Sequence, residues 1–66
     1  MLTTDEIEAL FAAAGVRLQA GYLGKQHMQG QWMLQVGKGN GYLDVLYGND
    51  TTEMMNRAWD NYVNSR

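Results

Sequence analysis

The stretch QVGKGNGYLD, residues 35–44, decides how the middle of this chain folds. Its three glycines surround Lys38 and Asn40, so either a phosphate-binding loop or a bend between strands would explain it. A phosphate-binding loop runs from a strand into a helix and has Ser or Thr after its lysine. Here Gly39 follows Lys38, and the next run alternates as a strand does, which also excludes a dinucleotide-binding fingerprint. Asn40-Gly41 is a typical hairpin turn that needs positive φ, so we predict a β-hairpin.

Working outward, three runs alternate between apolar and polar residues, as strands with one buried face do. They are VRLQAGY at 16–22, QWMLQV at 31–36 and YLDVLY at 42–47. In the last run we expect Leu43, Val45 and Tyr47 to face the core and the residues between them to face outward. The polar segment GKQHMQG, residues 24–30, is bounded by two glycines and is predicted to be a turn.

Both ends of the chain are predicted to be helical. Thr3 followed by Glu6 forms a capping box, and apolar residues recur at helical spacing until Gly15, which predicts a helix over residues 4–14. Asp50 followed by Glu53 repeats this arrangement and predicts a second helix over residues 51–64. The adjacent methionines 54 and 55 cannot both point at the core of a regular amphipathic helix, so we expect one to face partly outward.

The predicted order is therefore α-β-β-β-α, an α+β fold in which two helices cover one face of a three-stranded antiparallel meander. We expect residues 1–66 to form one domain. The helices and strands would share a common core. The predicted core residues are Ile7, Leu10, Phe11, Val16, Leu18, Trp32, Leu34, Val36, Leu43, Val45, Met55, Ala58, Trp59 and Tyr62.

Composition limits the functions that this chain could have. Sixty-six residues with no cysteine allow no disulfide, and the single histidine cannot build a histidine-rich metal site. We expect no metal and no cofactor. The net charge of −2 has the wrong sign for general nucleic-acid binding. No apolar run is long enough to span a membrane, and the acidic start MLTTDEIEAL is unlike a signal peptide, so we expect a cytoplasmic protein.

The predicted order of elements resembles the double-stranded-RNA-binding domain and the small HicA-type toxins. The RNA-binding domains begin their last helix with a lysine cluster, whereas the matching stretch here, GNDTTEMMNRAW, has only Arg57 as a base. This difference argues against duplex RNA as a ligand. The resemblance to the toxins implies a catalytic histidine near His27, in GKQHMQG. In its size and mild acidity the chain is also similar to small phage-borne inhibitors, anti-CRISPR proteins among them.

Tyrosine, methionine and leucine are unusually frequent among the predicted outward-facing residues of the strands. Tyr and Met are enriched at the centres of protein interfaces, and Met33, Tyr42 and Leu46 are all predicted to lie on the side away from the helices. Asp44, in the middle of a strand, would pair with Lys38 or Arg17 or contact another protein. The predicted partner-binding set also includes a second patch on the last helix. The whole set is Met33, Tyr42, Asp44, Leu46, Asn56, Arg57 and Asp60.

These patterns predict a non-enzymatic protein-binding module, similar to a phage-type inhibitor that sterically blocks a bacterial protein complex. Two alternatives remain open. The chain could be an RNA-cleaving toxin that uses His27 as a general base, although no Ser, Cys or paired acid lies near it in the sequence and a solvated loop histidine is the simpler explanation. It could instead be a structural subunit that forms a homodimer or a larger oligomer, because so short a chain buries only a small core.

Overall fold

A computed structural model describes residues 1–65 and has the predicted α+β architecture. Its three strands form one antiparallel sheet in the order β1-β2-β3, and both helices pack on the same face of that sheet. The elements are α1 (Thr4–Ala13), β1 (Arg17–Tyr22), β2 (Trp32–Lys38), β3 (Gly41–Gly48) and α2 (Thr51–Asn64).

Helix α1 has the capping groups that the sequence predicts at both ends. The Thr3 hydroxyl accepts from the Glu6 N–H, and Glu6 Oε1 accepts from the Thr3 N–H at 3.0 Å. At the other end Gly15 has a φ of +74°. The N–H of Val16 donates to the Phe11 carbonyl and that of Gly15 to the Ala12 carbonyl, which completes a Schellman motif. This motif turns the chain sharply from α1 into β1.

Helix α2 begins at the predicted aspartate cap. The Asp50 carboxylate accepts from the N–H groups of Thr52 and Glu53, which satisfies two of the free donors of the first turn. Met54 and Met55 are both buried, so the expectation that one would face partly outward is wrong. The reason lies in Gly48, which has no side chain and leaves room for the Met54 side chain over the end of β3.

The hairpin predicted at residues 35–44 joins β2 to β3, but its turn differs from the predicted one. Lys38 pairs with Gly41, so Gly39 and Asn40 form the loop. Only Gly39 in this loop has positive φ, at +62°. Glycine with positive φ at the first loop position is the feature of a type II′ turn. The prediction of positive φ at Asn40-Gly41 is therefore wrong.

The core lies between the helices and the inner face of the sheet. Phe11 is at its centre, edge-to-face with Trp59 at 5.0 Å between ring centroids and with Tyr62 at 5.6 Å. Three predicted core residues, Leu10, Leu43 and Val45, are exposed instead. The buried residues are Ile7, Phe11, Val16, Leu34, Val36, Leu46, Met54, Met55 and Ala58, with Leu18, Trp32, Trp59 and Tyr62 partly buried around them.

Strand β3 faces the opposite way from the prediction along most of its length. Leu34 of β2 is buried and pairs with Leu46, and directly paired residues share a face, so Leu46 lies under the helices. Apolar residues occupy both faces of β3. The alternation in its sequence therefore could not predict the phase of the strand, that is, which of its residues face the helices. Pairing with β2 sets it, and a shift of one residue moves every side chain to the other face.

A β-bulge then changes the phase again near the hairpin. Val36 pairs with Asp44 and Gly37 pairs with Tyr42, so Leu43 is an extra residue on β3. As a result Tyr42 lies on the outer face, as predicted, while Asp44 and Leu46 lie on the inner face.

Candidate protein-binding surface

The sheet face away from the helices forms a continuous surface, which we call the open face. No element within residues 1–65 packs across it, apart from the edge of the β1–β2 loop. Its side chains form three rows that run across the strands. The rows are Arg17, Gly37 and Tyr42; Gln19, Gln35 and Val45; and Gly21, Met33 and Tyr47.

Exposed aromatic and apolar groups stand beside amides on this face. The side chain of Tyr42 is 65% exposed and that of Val45 is 42% exposed. Met33 is half-buried because its ε-methyl group lies over Gly21, which has no side chain of its own. The open face thus combines two apolar side chains, two tyrosines and two neighbouring glutamines.

Arg17 places one positive charge at the end of the open face nearest the hairpin. Its side chain crosses over Gly37, and its guanidinium donates to the main-chain carbonyls of Gly39 and Gly41. Gly37 allows this crossing, since a Cβ atom there would lie 2.8 Å from the guanidinium Nη2. The hydrogen bonds hold Arg17 in the same row as Tyr42 and fix the hairpin relative to β1.

The β1–β2 loop borders the opposite end of the open face. The His27 ring stacks on Tyr47 with 6.1 Å between ring centroids and 13° between ring planes. Its Nδ1 accepts from the Gln29 N–H at 3.3 Å. Both contacts give His27 a structural part in ordering the loop. Among residues 1–65 there is no group of three or more His, Cys, Asp or Glu side chains placed to hold a metal ion.

The structure separates the strand residues that were predicted to bind a partner. Met33 and Tyr42 lie on the open face, as predicted. Leu46 is only 7% exposed and belongs to the core, and Asp44 faces α2, so their predicted places on the open face are wrong. The Asp44 carboxylate accepts from Asn61 Nδ2 at 3.3 Å and from the Val45 N–H at 2.9 Å. It bonds to neither of the predicted partners, Lys38 and Arg17.

The predicted patch on α2 is partly engaged in contacts within the chain. The Asn56 amide is partly buried and bonds to both main-chain groups of Leu2, at 3.0 and 2.9 Å. Arg57 donates to the main-chain carbonyl of Tyr47 at 2.8 Å. Asp60 is exposed. Asn56 and Arg57 therefore hold elements together, while the side chains of Arg57 and Asp60 remain exposed to solvent.

Sequence reasoning missed Arg17, Val45 and Tyr47 as members of the open face. The two β3 residues were assigned to the core because their alternation fits either face equally well. The sequence signal is incomplete, since a two-residue loop at Gly39-Asn40 places Leu34 opposite Leu46 only when one bulge follows the loop. Nothing in the sequence alone indicates the bulge.

A second concave feature lies on the helix side, between the hairpin and the end of α2. This cleft has a volume of about 560 Å³ and is open to solvent. Both apolar and polar groups line it, and two of them, Asp44 and Asn61, are hydrogen-bonded to each other. Its lining residues are Val36, Lys38, Leu43, Asp44, Ala58, Asn61, Tyr62 and Ser65.

Comparisons with known proteins give no assignment: no family model, no curated protein and no solved structure matches this chain. Within residues 1–65, neither helix is both long and apolar enough to cross a bilayer.

Proposed function

We propose that this chain is a non-enzymatic protein-binding module that uses the open face as its docking surface. The observation that carries this proposal is the contiguity of Tyr42, Val45, Met33 and Tyr47 across two neighbouring strands, outside the core of the chain. Interface centres are enriched in tyrosine and methionine and poor in lysine and acids. The open face has that composition, since Arg17 is its one charged residue.

The side chains of the open face are held in place within the chain, which favours binding by a preformed surface. They project from hydrogen-bonded strands, and Arg17 and His27 tie down the two ends. A surface that is ordered before binding loses little conformational entropy when a partner docks. The partner suited to it is a protein that offers an apolar patch with amide or carbonyl groups around it, because Gln19 and Gln35 can donate and accept hydrogen bonds.

The finer proposal is that of a phage-type inhibitor that acts in the bacterial cytoplasm. A small rigid module can block a larger protein complex by covering a surface that the complex needs, and such a mechanism requires no catalytic group. Its small size and mild acidity support this role only by analogy.

Capture from a bacterial lysate with the immobilised chain tests this proposal. The test variant is Tyr42→Ala with Met33→Ala, and the matched control is Leu43→Ala with Val63→Ala. The control residues are apolar and exposed, at 53% and 39%, and both lie off the open face. We expect a protein that the wild type and the control retain and the test variant releases. If the folded test variant retains every protein that the wild type retains, the docking surface is wrong.

Expression in bacteria separates this proposal from the toxin alternative. A binding module needs no His27 chemistry, so His27→Phe, which keeps a ring to stack on Tyr47, should still capture the same protein. Growth arrest that His27→Ala relieves, together with cleaved RNA in the arrested cells, would contradict the proposal and establish the toxin. A defined oligomer that captures no other protein would establish the structural subunit.

A further inference from the structure

The two outer edges of the sheet differ in their free hydrogen-bonding groups. Leu23 donates to the Gln31 carbonyl at 2.6 Å, and bonded pairs alternate in an antiparallel ladder. Gln19 and Gly21 therefore bond toward β2, while the main-chain groups of Leu18, Ala20 and Tyr22 point away from the sheet. By the same alternation, Val45 and Tyr47 point outward at the edge of β3.

Side chains cover the β3 edge. Asp44 accepts from the outward N–H of Val45 at 2.9 Å, and Arg57 donates to the outward carbonyl of Tyr47 at 2.8 Å. Charged side chains at a sheet edge prevent pairing with another strand. Two of the main-chain groups that point outward from this edge are therefore already bonded, which disfavours strand addition there.

The β1 edge has no such cover. Within residues 1–65, no hydrogen bond reaches the main-chain groups of Leu18, Ala20 or Tyr22 from another element. Ala20 is exposed and Tyr22 is 52% exposed, so the helices also leave the inner face bare along this edge. The only charged residue of β1 is Arg17, and its guanidinium is engaged by the hairpin carbonyls.

We propose that the β1 edge pairs antiparallel with the β1 edge of a second copy of this chain, which makes a six-stranded sheet across a two-fold axis. The pairing places Ala20 opposite Ala20 and Leu18 opposite Tyr22 of the second copy. These three outward residues then exchange about six main-chain hydrogen bonds, two for each bonded pair. A register shifted by one pair brings in Val16, whose N–H already bonds to Phe11, and so gains no bond over this one.

The side chains of β1 fit this register. Alanine at the axis allows the closest approach, and the two Leu18–Tyr22 contacts on either side are apolar cross-strand pairs, which stabilise sheets. The two Arg17 side chains lie six residues apart along the pairing, about 20 Å at about 3.4 Å per residue. That separation exceeds the Debye length of about 8 Å, so their repulsion is screened.

This interface is independent of the proposed docking surface, because it uses a sheet edge and leaves the open face uncovered. A single strand pair buries less than the roughly 800 Å² per partner of a standard interface. We therefore expect a weak dimer with a dissociation constant of about 10 µM to about 1 mM. Both docking surfaces would lie on the same side of the joined sheet and could bind a symmetric target.

Sedimentation over about 10 µM to about 2 mM chain and residue-level amide exchange test this inference. The amides of Leu18, Ala20 and Tyr22 should exchange more slowly as the dimer forms, whereas those of Gln19 and Gly21 already bond to β2 and should change little. Ala20→Lys puts two ammonium groups across the axis and should weaken the dimer at least tenfold. The control Ala9→Lys makes the same change on the outer side of α1, opposite Ile7 and Phe11, and should leave the dimer intact.

Any one of three results would overturn the proposal of a β1–β1 dimer. These results are a monomer throughout the concentration range, a dimer in which the three outward amides stay unprotected, and a dimer that Ala20→Lys leaves unchanged. None of them affects the capture experiment, which depends on Tyr42 and Met33.

Discussion

Asn56 and Leu2 lie 54 positions apart in the sequence and exchange two hydrogen bonds. The Leu2 N–H donates to Asn56 Oδ1 at 3.0 Å, and Asn56 Nδ2 donates to the Leu2 carbonyl at 2.9 Å. The amide thus acts as a clamp between the start of the chain and α2. It also positions Thr3, the next residue, to cap α1.

We expect Asn56→Ala to destabilise the protein by about 1–3 kcal/mol, because it leaves the partly buried main-chain groups of Leu2 without partners. Asp60→Ala, an exposed change on the same helix, should cost no more than about 0.5 kcal/mol. Urea unfolding followed by tryptophan fluorescence measures both. Equal losses would show that the clamp contributes nothing.

Gly30 should tolerate substitution far less well than Gly41. A Cβ atom at Gly30 would lie 2.6 Å from the main-chain nitrogen of Gly48, and its φ of +134° suits only glycine. Gly30→Ala should therefore cost about 3 kcal/mol or more, since it combines backbone strain with a clash against main chain. Gly41 has open space around it and no positive φ, so Gly41→Ala should change stability by less than about 1 kcal/mol. Thermal unfolding compares the two, and a greater loss at Gly41 would contradict the turn described here.

The phase of β3 predicts that two neighbouring residues contribute unequally to stability. Leu46 is in the core, so Leu46→Ala should cost about 2–5 kcal/mol. Val45 is on the open face, and Val45→Ala should cost about 1 kcal/mol or less. The free energy of unfolding in urea gives the order directly. The reverse order would place Val45 in the core and remove it from the docking surface.

The same strand shows how far the sequence predicts this protein. Both helices, their caps, the meander and the hairpin follow from local rules, because Thr3, Asp50 and Gly15 act within one or two turns of their own position. The phase of β3 depends on its pairing with β2 and on the bulge at Leu43, which are contacts between distant residues. Met33 and Tyr42 were placed correctly on the open face, whereas Asp44 and Leu46 were not, since their face depends on those contacts.

Acid should weaken the cap of α1. The main-chain N–H of Thr3 and then its hydroxyl lower the pKa of Glu6 below its usual range. Because the folded pKa is the lower one, the carboxylate stabilises the fold above the unfolded pKa of about 4.3. That stabilisation is lost as the pH falls through the folded pKa. Urea midpoints measured between about pH 3 and pH 7 should therefore fall less steeply in acid for Glu6→Gln than for the wild type.

Glu8→Gln is the matched control for this experiment. It removes one carboxylate from the same helix and leaves the bond between Thr3 and Glu6 in place, so it should keep the acid slope of the wild type. If both variants keep that slope, Glu6 contributes nothing to the pH dependence.

The most direct test of the open face is the dissociation constant of a protein captured by the wild type, measured by calorimetry for the two double variants. Tyr42 and Met33 would be central contacts, and residues of that kind cost more than about 1 kcal/mol each when truncated. We predict that Tyr42→Ala with Met33→Ala weakens binding about 100-fold. Leu43→Ala with Val63→Ala should change it less than about twofold. Equal weakening by both pairs, or none by the first, would contradict the account.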